Sequence, residues 1–193
     1  MLFRSCVKPN NLNFVSSTNN SADVAWTPGS ETDQAWDIVY STQAGFNPDT
    51  VTAVTVNDTL ETISNLNSGT VYYAYVRTNC GNNEISAWSN LITFQTECDM
   101  FTIPYFENFD NQVTSSMPIC WNSLGNYTTV PYVTTSYSSS SPKALYMYCY
   151  GSTAYSMVSS PEMDPTVNAN ALMVSFKMLS GSTSNMMVVG CCP

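Results

Sequence analysis

Seven cysteines and no histidine set the chemistry open to this chain of 193 residues. Without imidazole there is no Ser–His or Cys–His nucleophilic pair and no histidine-bearing zinc site. The cysteines, Cys6, Cys80, Cys98, Cys120, Cys149, Cys191 and Cys192, contain no C-x-x-C pair, so zinc-ribbon and thioredoxin-like chemistry is not indicated. Disulfide bonding in an oxidising compartment fits them better, with at least one thiol left over in this chain and the connectivity open. No phosphate-cradling glycine loop is present. Acid–base work would then fall to carboxylates, and no convincing catalytic pair stands out, so the chain is not expected to be an enzyme. Two carboxylates close in sequence, Glu107 and Asp110, could supply hard oxygen ligands to Ca²⁺. A solvated acidic turn is the competing reading, and no cofactor is otherwise implied.

Binding chemistry is the other possibility, and here tyrosine is the main reagent. Tyr73 and Tyr75 stand on one face of a sheet-like run, Tyr72, Ala74 and Val76 on the other. Exposed Tyr anchors protein or sugar partners, yet the same residues serve as cross-strand pairs. Trp121, Tyr127 and Tyr132 could stack on sugar rings, with the core as the alternative place for Trp121. Five basic against fourteen acidic residues give a net charge of −9, which disfavours nucleic acid and anionic membrane surfaces. No apolar run reaches the roughly 20 residues of a membrane-spanning helix, so no membrane insertion is expected.

These residues must be positioned by strands. Hydrophobic residues are 44% and charged ones 10%, a balance suited to extracellular β-sheet surfaces. Short β-type runs recur at Leu12–Ser17, Ala22–Thr27, Trp36–Ser41, Val51–Val56, Leu60–Ser64, Thr70–Thr78 and Trp88–Thr96, separated by Asn-, Gly-, Pro- and Ser-rich turns. Seven strands in about 90 residues is the count of a small β-sandwich. Leu66 and Tyr72 bracket a tight corner in which the tyrosine hydroxyl bonds back to upstream backbone, as in Greek-key sandwiches.

With Trp26 in "VAWTP", "WDIVY" at 36–40, the corner residues Leu66, Thr70 and Tyr72, and "SAWSNLITFQT" at 86–96, residues 6–97 resemble a fibronectin type III domain. Ser68 replaces the proline usual two residues after the corner leucine. In that fold Cys6 and Cys80 fall at one pole, and the resemblance implies that they pair. Nothing supports integrin-type adhesion through an Arg-Gly-Asp sequence, which is absent.

Residues 98–193 begin anew. Pro104-Tyr105-Phe106-Glu107-Asn108-Phe109-Asp110 followed by Pro118-Ile119-Cys120-Trp121 resembles the opening of the jelly-roll "cleaved adhesin" modules of bacterial surface proteases and, more distantly, MAM domains. The resemblance implies a truncated module, a Cys98–Cys120 pairing, and the Ca²⁺ role for Glu107 and Asp110. Vicinal Cys191 and Cys192 are expected to reach beyond this chain, with Cys149 available to one of them. Leu172, Val174, Phe176 and Met178 alternate with Met173, Ser175 and Lys177, which predicts a half-buried strand with a partner after the following turn. Met1–Ser5 reads as a non-native leader and both ends as fragment edges.

The expected fold is therefore all-β: a fibronectin type III sandwich followed by a partial jelly-roll-like β-sandwich. The arrangement is similar to secreted multidomain proteins of Bacteroidetes. The expected function is non-catalytic, as extracellular or cell-surface adhesion or accessory modules with a protein or glycan partner. The alternative is a carbohydrate-binding module attached to a hydrolase.

Overall fold

A computed structural model describes residues 6–126, 130–136, 138, 142–148, 150–151, 153–168, 170 and 172–179. It divides the chain into two compact units, Met1–Asp99 and Met100–Pro193. The elements of the described residues are β-strands and a 3₁₀ turn at Pro48–Thr50.

In the first unit β1 (Asn10–Ser17), β2 (Ser21–Thr27) and β5 (Leu60–Ser64) form one antiparallel sheet in the order β1-β2-β5. The second sheet runs β4 (Val54–Val56), β3 (Trp36–Ser41), β6 (Val71–Gly81) and β7 (Glu84–Ile85), with β8 (Ile92–Gln95) also paired to β6. Period-two alternation turns one face of each sheet inward. Ala22, Val24 and Trp26 from β2, and Ile63 from β5, meet Trp36, Ile38, Tyr72, Ala74, Val76 and Phe94 from the second sheet. Each fully buried Val, Ile or Phe side chain of this set contributes about 1.5–3 kcal/mol. Trp26 meets Trp36 edge to face at 6.0 Å, and Tyr72 stacks on Phe94 at 5.7 Å.

The expected run Val51–Val56 is strand only from Val54, and two further strands depart from the sequence reading for local reasons. β6 runs past Thr78 to Gly81 because Asn82 and Asn83 both take positive φ (52° and 63°) in a two-residue turn that returns the chain as β7. Such turns need left-handed backbone at both central residues, which Asn tolerates. The run from Trp88, expected to be strand throughout, is regular only from Ile92. Upstream of it, serine side chains replace part of the ladder. Ser86 Oγ accepts from Thr78 N at 2.9 Å and Ser89 Oγ accepts from Val76 N at 3.0 Å. The Ser86 and Ser89 amides donate back to the Thr78 and Val76 carbonyls at 3.0 and 2.8 Å.

The start of the chain is fastened to the far end of β6. Cys6 is bonded to Cys80 across a sequence separation of 74, and Thr78 Oγ1 donates to the Val7 carbonyl at 2.7 Å. Gly29 lets this segment pass, since a Cβ there would stand 2.5 Å from the Val7 carbonyl oxygen. The corner is closed by Tyr72, whose buried hydroxyl accepts from Asn67 N at 2.9 Å. Tyr72→Phe is expected to lower the unfolding free energy by about 1–2 kcal/mol, because the Asn67 amide loses its acceptor; urea midpoints measure this.

In the second unit β9 (Asn122–Gly125) pairs with β12 (Ser156–Ser159), and β10 (Tyr132–Thr134) with β11 (Ala144–Tyr146), all antiparallel. Val133 is fully buried, whereas Phe106, Tyr150 and Met173 are 83%, 77% and 91% exposed. Leu172–Leu179 forms no strand. Period-two alternation creates an apolar face, but a strand also requires a neighbour for its backbone groups. The partner expected after the Gly-Ser-Thr-Ser turn lies outside the described residues.

Candidate functional site

The outer face of the second sheet in the first unit carries Tyr73, Tyr75 and Arg77 of β6, set by the strand's alternation. Register places Arg77 opposite Asp37 of β3, Tyr75 opposite Val39 and Tyr73 opposite Ser41. Arg77 Nε donates to Asp37 Oδ2 at 3.0 Å, and Asp37 Oδ1 accepts from Thr55 Oγ1 at 2.8 Å and from Asn79 Nδ2 at 3.0 Å. Asp37 is only 4% exposed. Burial acts to raise its pKa, but the Asn79, Thr55 and Arg77 hydrogen bonds and the Arg77 charge outweigh it and hold the carboxyl below its ordinary value.

The same guanidinium lies 4.4 Å over the Trp88 ring, within cation–π range. Trp88 Nε1 donates to Asp49 Oδ1 at 2.8 Å, and Arg77 Nη1 lies 3.7 Å from the same oxygen. Asp49 and Phe46 belong to the connection between β3 and β4, which thereby lies against the sheet. Buried Phe46 meets Tyr75 edge to face at 5.5 Å. Tyr75 is therefore partly covered by the chain's own loop, and Tyr73 is half-buried among its strand neighbours.

In the second unit Glu107 and Asp110 do come together, in one turn. Glu107 accepts from Phe109 N and, at 2.9 Å, from Gln112 Nε2. Asp110 accepts from Asn108 Nδ2 at 2.9 Å and from Lys143 N at 3.3 Å. Glu107 thus braces its own turn, and Asp110 also ties that turn to the segment before β11. Among the described residues no group of three or more His, Cys, Asp or Glu gathers as a metal site. Trp121 is half-buried, meets Phe109 edge to face at 5.5 Å, and donates from Nε1 to Tyr105 Oη at 3.3 Å. Burial first, then the nearby Glu107 charge, raise the Tyr105 pKa, and the Trp121 bond opposes them. Cys98 and Cys120 are both disulfide-bonded. Tyr127, Cys149, Cys191 and Cys192 lie outside the described residues.

Residues 7–95 match the family model for the fibronectin type III domain. The first unit is a fibronectin type III domain. Among solved structures the chain is similar to the fibronectin type III domain of the human collagen alpha-1(XX) chain, at 23% identity and a TM-score of 0.44, covering 54% of this chain and 98% of that one. It is also similar to a myokine structure at 17% identity and a TM-score of 0.39, covering 48% of this chain and 99% of that one. No match is found among curated proteins.

Fibronectin type III domains are in general non-catalytic binding or scaffold modules, and those with disulfides are typical of extracellular proteins. Among the described residues no helix is long and apolar enough to cross a membrane. The alternation read from the sequence places Tyr73 and Tyr75 on one face of this domain. It missed the Asp37–Arg77–Trp88–Asp49 cluster beside them. The signal available was an arginine at an outward position of a strand, in a chain with only five basic residues.

Proposed function

We propose that the chain serves as non-catalytic adhesion or accessory modules of a secreted or cell-surface bacterial multidomain protein. The fibronectin type III domain would act as a rigid positioning and contact unit. Residues 98–193 would contribute a cleaved-adhesin/MAM-like jelly-roll module, on the strength of the "PYFENFD" and "PICW" elements and their resemblance to proteins of Bacteroidetes.

The observation that carries this reading is the use to which the carboxylates are put. In a chain without histidine they are the natural acid–base groups, and the best-placed ones hold structure. Asp37 and Asp49 bind Arg77 and Trp88. Asp23 accepts from Ser16 and Thr62 across three strands, at 2.7 and 2.6 Å. Glu107 braces its turn, Asp110 ties that turn to Lys143, and Asp164 accepts from Thr166. A module so arranged works by contact. Beads coated with the intact chain are expected to be retained on cell layers or secreted matrix several-fold more than beads coated with albumin.

A further inference from the structure

Residues 172–179, Leu-Met-Val-Ser-Phe-Lys-Met-Leu, carry the alternation of a strand without belonging to one. Among the described residues none hydrogen-bonds to this segment. Met173, Val174, Phe176, Met178 and Leu179 are between 55% and 91% exposed. The segment holds no Pro or Gly and a single charge, Lys177. Low charge, β-favouring side chains and an unbroken row of backbone donors are what a pairing strand requires.

The order of its residues also selects a partner, a second copy of itself. Antiparallel pairing of two copies about Ser175 sets Val174 opposite Phe176, Leu172 opposite Met178, and Met173 opposite Lys177. These partners differ by even numbers, so Leu172, Val174, Phe176 and Met178 of both copies fall on one face. Ser175 and Lys177 fall on the other. An aromatic side chain opposite a β-branched one is a stabilising cross-strand pair. Parallel in-register pairing would instead set Lys177 against Lys177, and like charges directly opposite are unfavourable. A twofold axis at Ser175 closes the contact isologously.

We propose that residues 172–179 are a homotypic docking strand, through which two copies of this chain associate by antiparallel pairing about Ser175. An eight-residue strand is about 26 Å long, and a ribbon of two such strands falls short of the roughly 800 Å² per partner of a stable interface. The association is therefore weak and concentration-dependent, and it counts where copies are crowded on one surface. The net charge of −9 makes the copies repel, and salt screens that repulsion, so pairing strengthens with ionic strength. This goes beyond the contact reading above, because it concerns the copies with one another, and neither depends on the other.

The test is sedimentation velocity of the intact chain, its free thiols alkylated, from micromolar to near-millimolar concentration at low and high salt. A sedimentation coefficient that rises with concentration, and more steeply at high salt, is expected. Val174→Pro with Ser175→Pro removes adjacent donors on both edges of the strand, so one of them faces the partner in either bonding pattern. That pair of changes should weaken association about tenfold, whereas Val174→Ile with Ser175→Thr should keep it. Both positions are exposed and outside the strands, so the thermal midpoint should not move. Hydrogen exchange at 172–179 should slow as concentration rises. A monomer across the whole range, a proline variant that associates like the unchanged chain, or association weakened by salt would each overturn the proposal. Slow exchange at every dilution would overturn it too, by showing that the chain's own residues cover the segment.

Discussion

Replacing Cys6 and Cys80 together by serine is expected to lower the unfolding free energy of the fibronectin type III domain by about 4 kcal/mol. The bond closes a loop with a sequence separation of 74, and the entropy it removes from the unfolded chain is of that order. Against a typical domain stability of about 5–15 kcal/mol, the loss is a large share. The fold would also lose its grip on the first strand. With the bond gone, Val7 is held by the Thr78 hydroxyl and by its passage over Gly29. The readout is urea unfolding followed by tryptophan emission, since Trp26 and Trp36 are both in the core. The paired serine variant isolates this bond better than a reductant does, because Cys98 and Cys120 are disulfide-bonded as well. A shift below about 1 kcal/mol would mean that the strand ladder alone fixes the start of the chain.

The second large effect is expected at Arg77. Arg77→Met keeps the apolar stem but leaves Asp37 buried without its counter-charge, a change that costs about 3–5 kcal/mol for a buried pair. Changing Asp37→Asn in the same chain removes the orphaned charge and should restore a large part of the loss. A double variant no better than Arg77→Met would show that the stacking of Arg77 on Trp88, rather than the ion pair, dominates. The pair also sets a pH dependence. The Asp37 carboxyl holds its proton less tightly in the folded domain than in the unfolded chain. Its contribution is therefore fully present above the unfolded value, about 3.9, and is lost as pH falls through the lower folded value. Asp23, held low first by Thr62 and then by Ser16, adds a slope of the same sign. Urea midpoints should fall from pH 5 towards pH 2.5, and less steeply in Asp37→Asn.

Much of the first unit is legible in its sequence because its strands alternate cleanly. Trp36–Ser41 and Leu60–Ser64 coincide with the expected runs, and the Leu66–Tyr72 corner is visible from two residues and a turn. The Arg77 cluster is less accessible. It depends on the register that sets Asp37 opposite Arg77 and on a loop that brings Asp49 under Trp88, neither of which leaves a periodic trace. The segment before Ile92 hides for another reason. Ser86 and Ser89 reach β6 through side-chain oxygens, so a strand-like sequence carries a ladder that is only half backbone. In the second unit, alternation at Leu172–Met178 identifies an apolar face but says nothing about a neighbouring strand. The acidic turn shows the same limit. Glu107 and Asp110 lie three residues apart in one turn, but what they bind there is Gln112, Asn108 and the backbone.

The work proposed for this chain is contact rather than chemistry, and bead retention addresses that most directly. Beads coated with the folded, disulfide-intact chain are counted on cell layers and on secreted matrix after washing, beside albumin-coated beads. Retention several-fold above albumin, reduced by soluble chain added in excess, is the predicted result. Retention equal to albumin on every surface would contradict it.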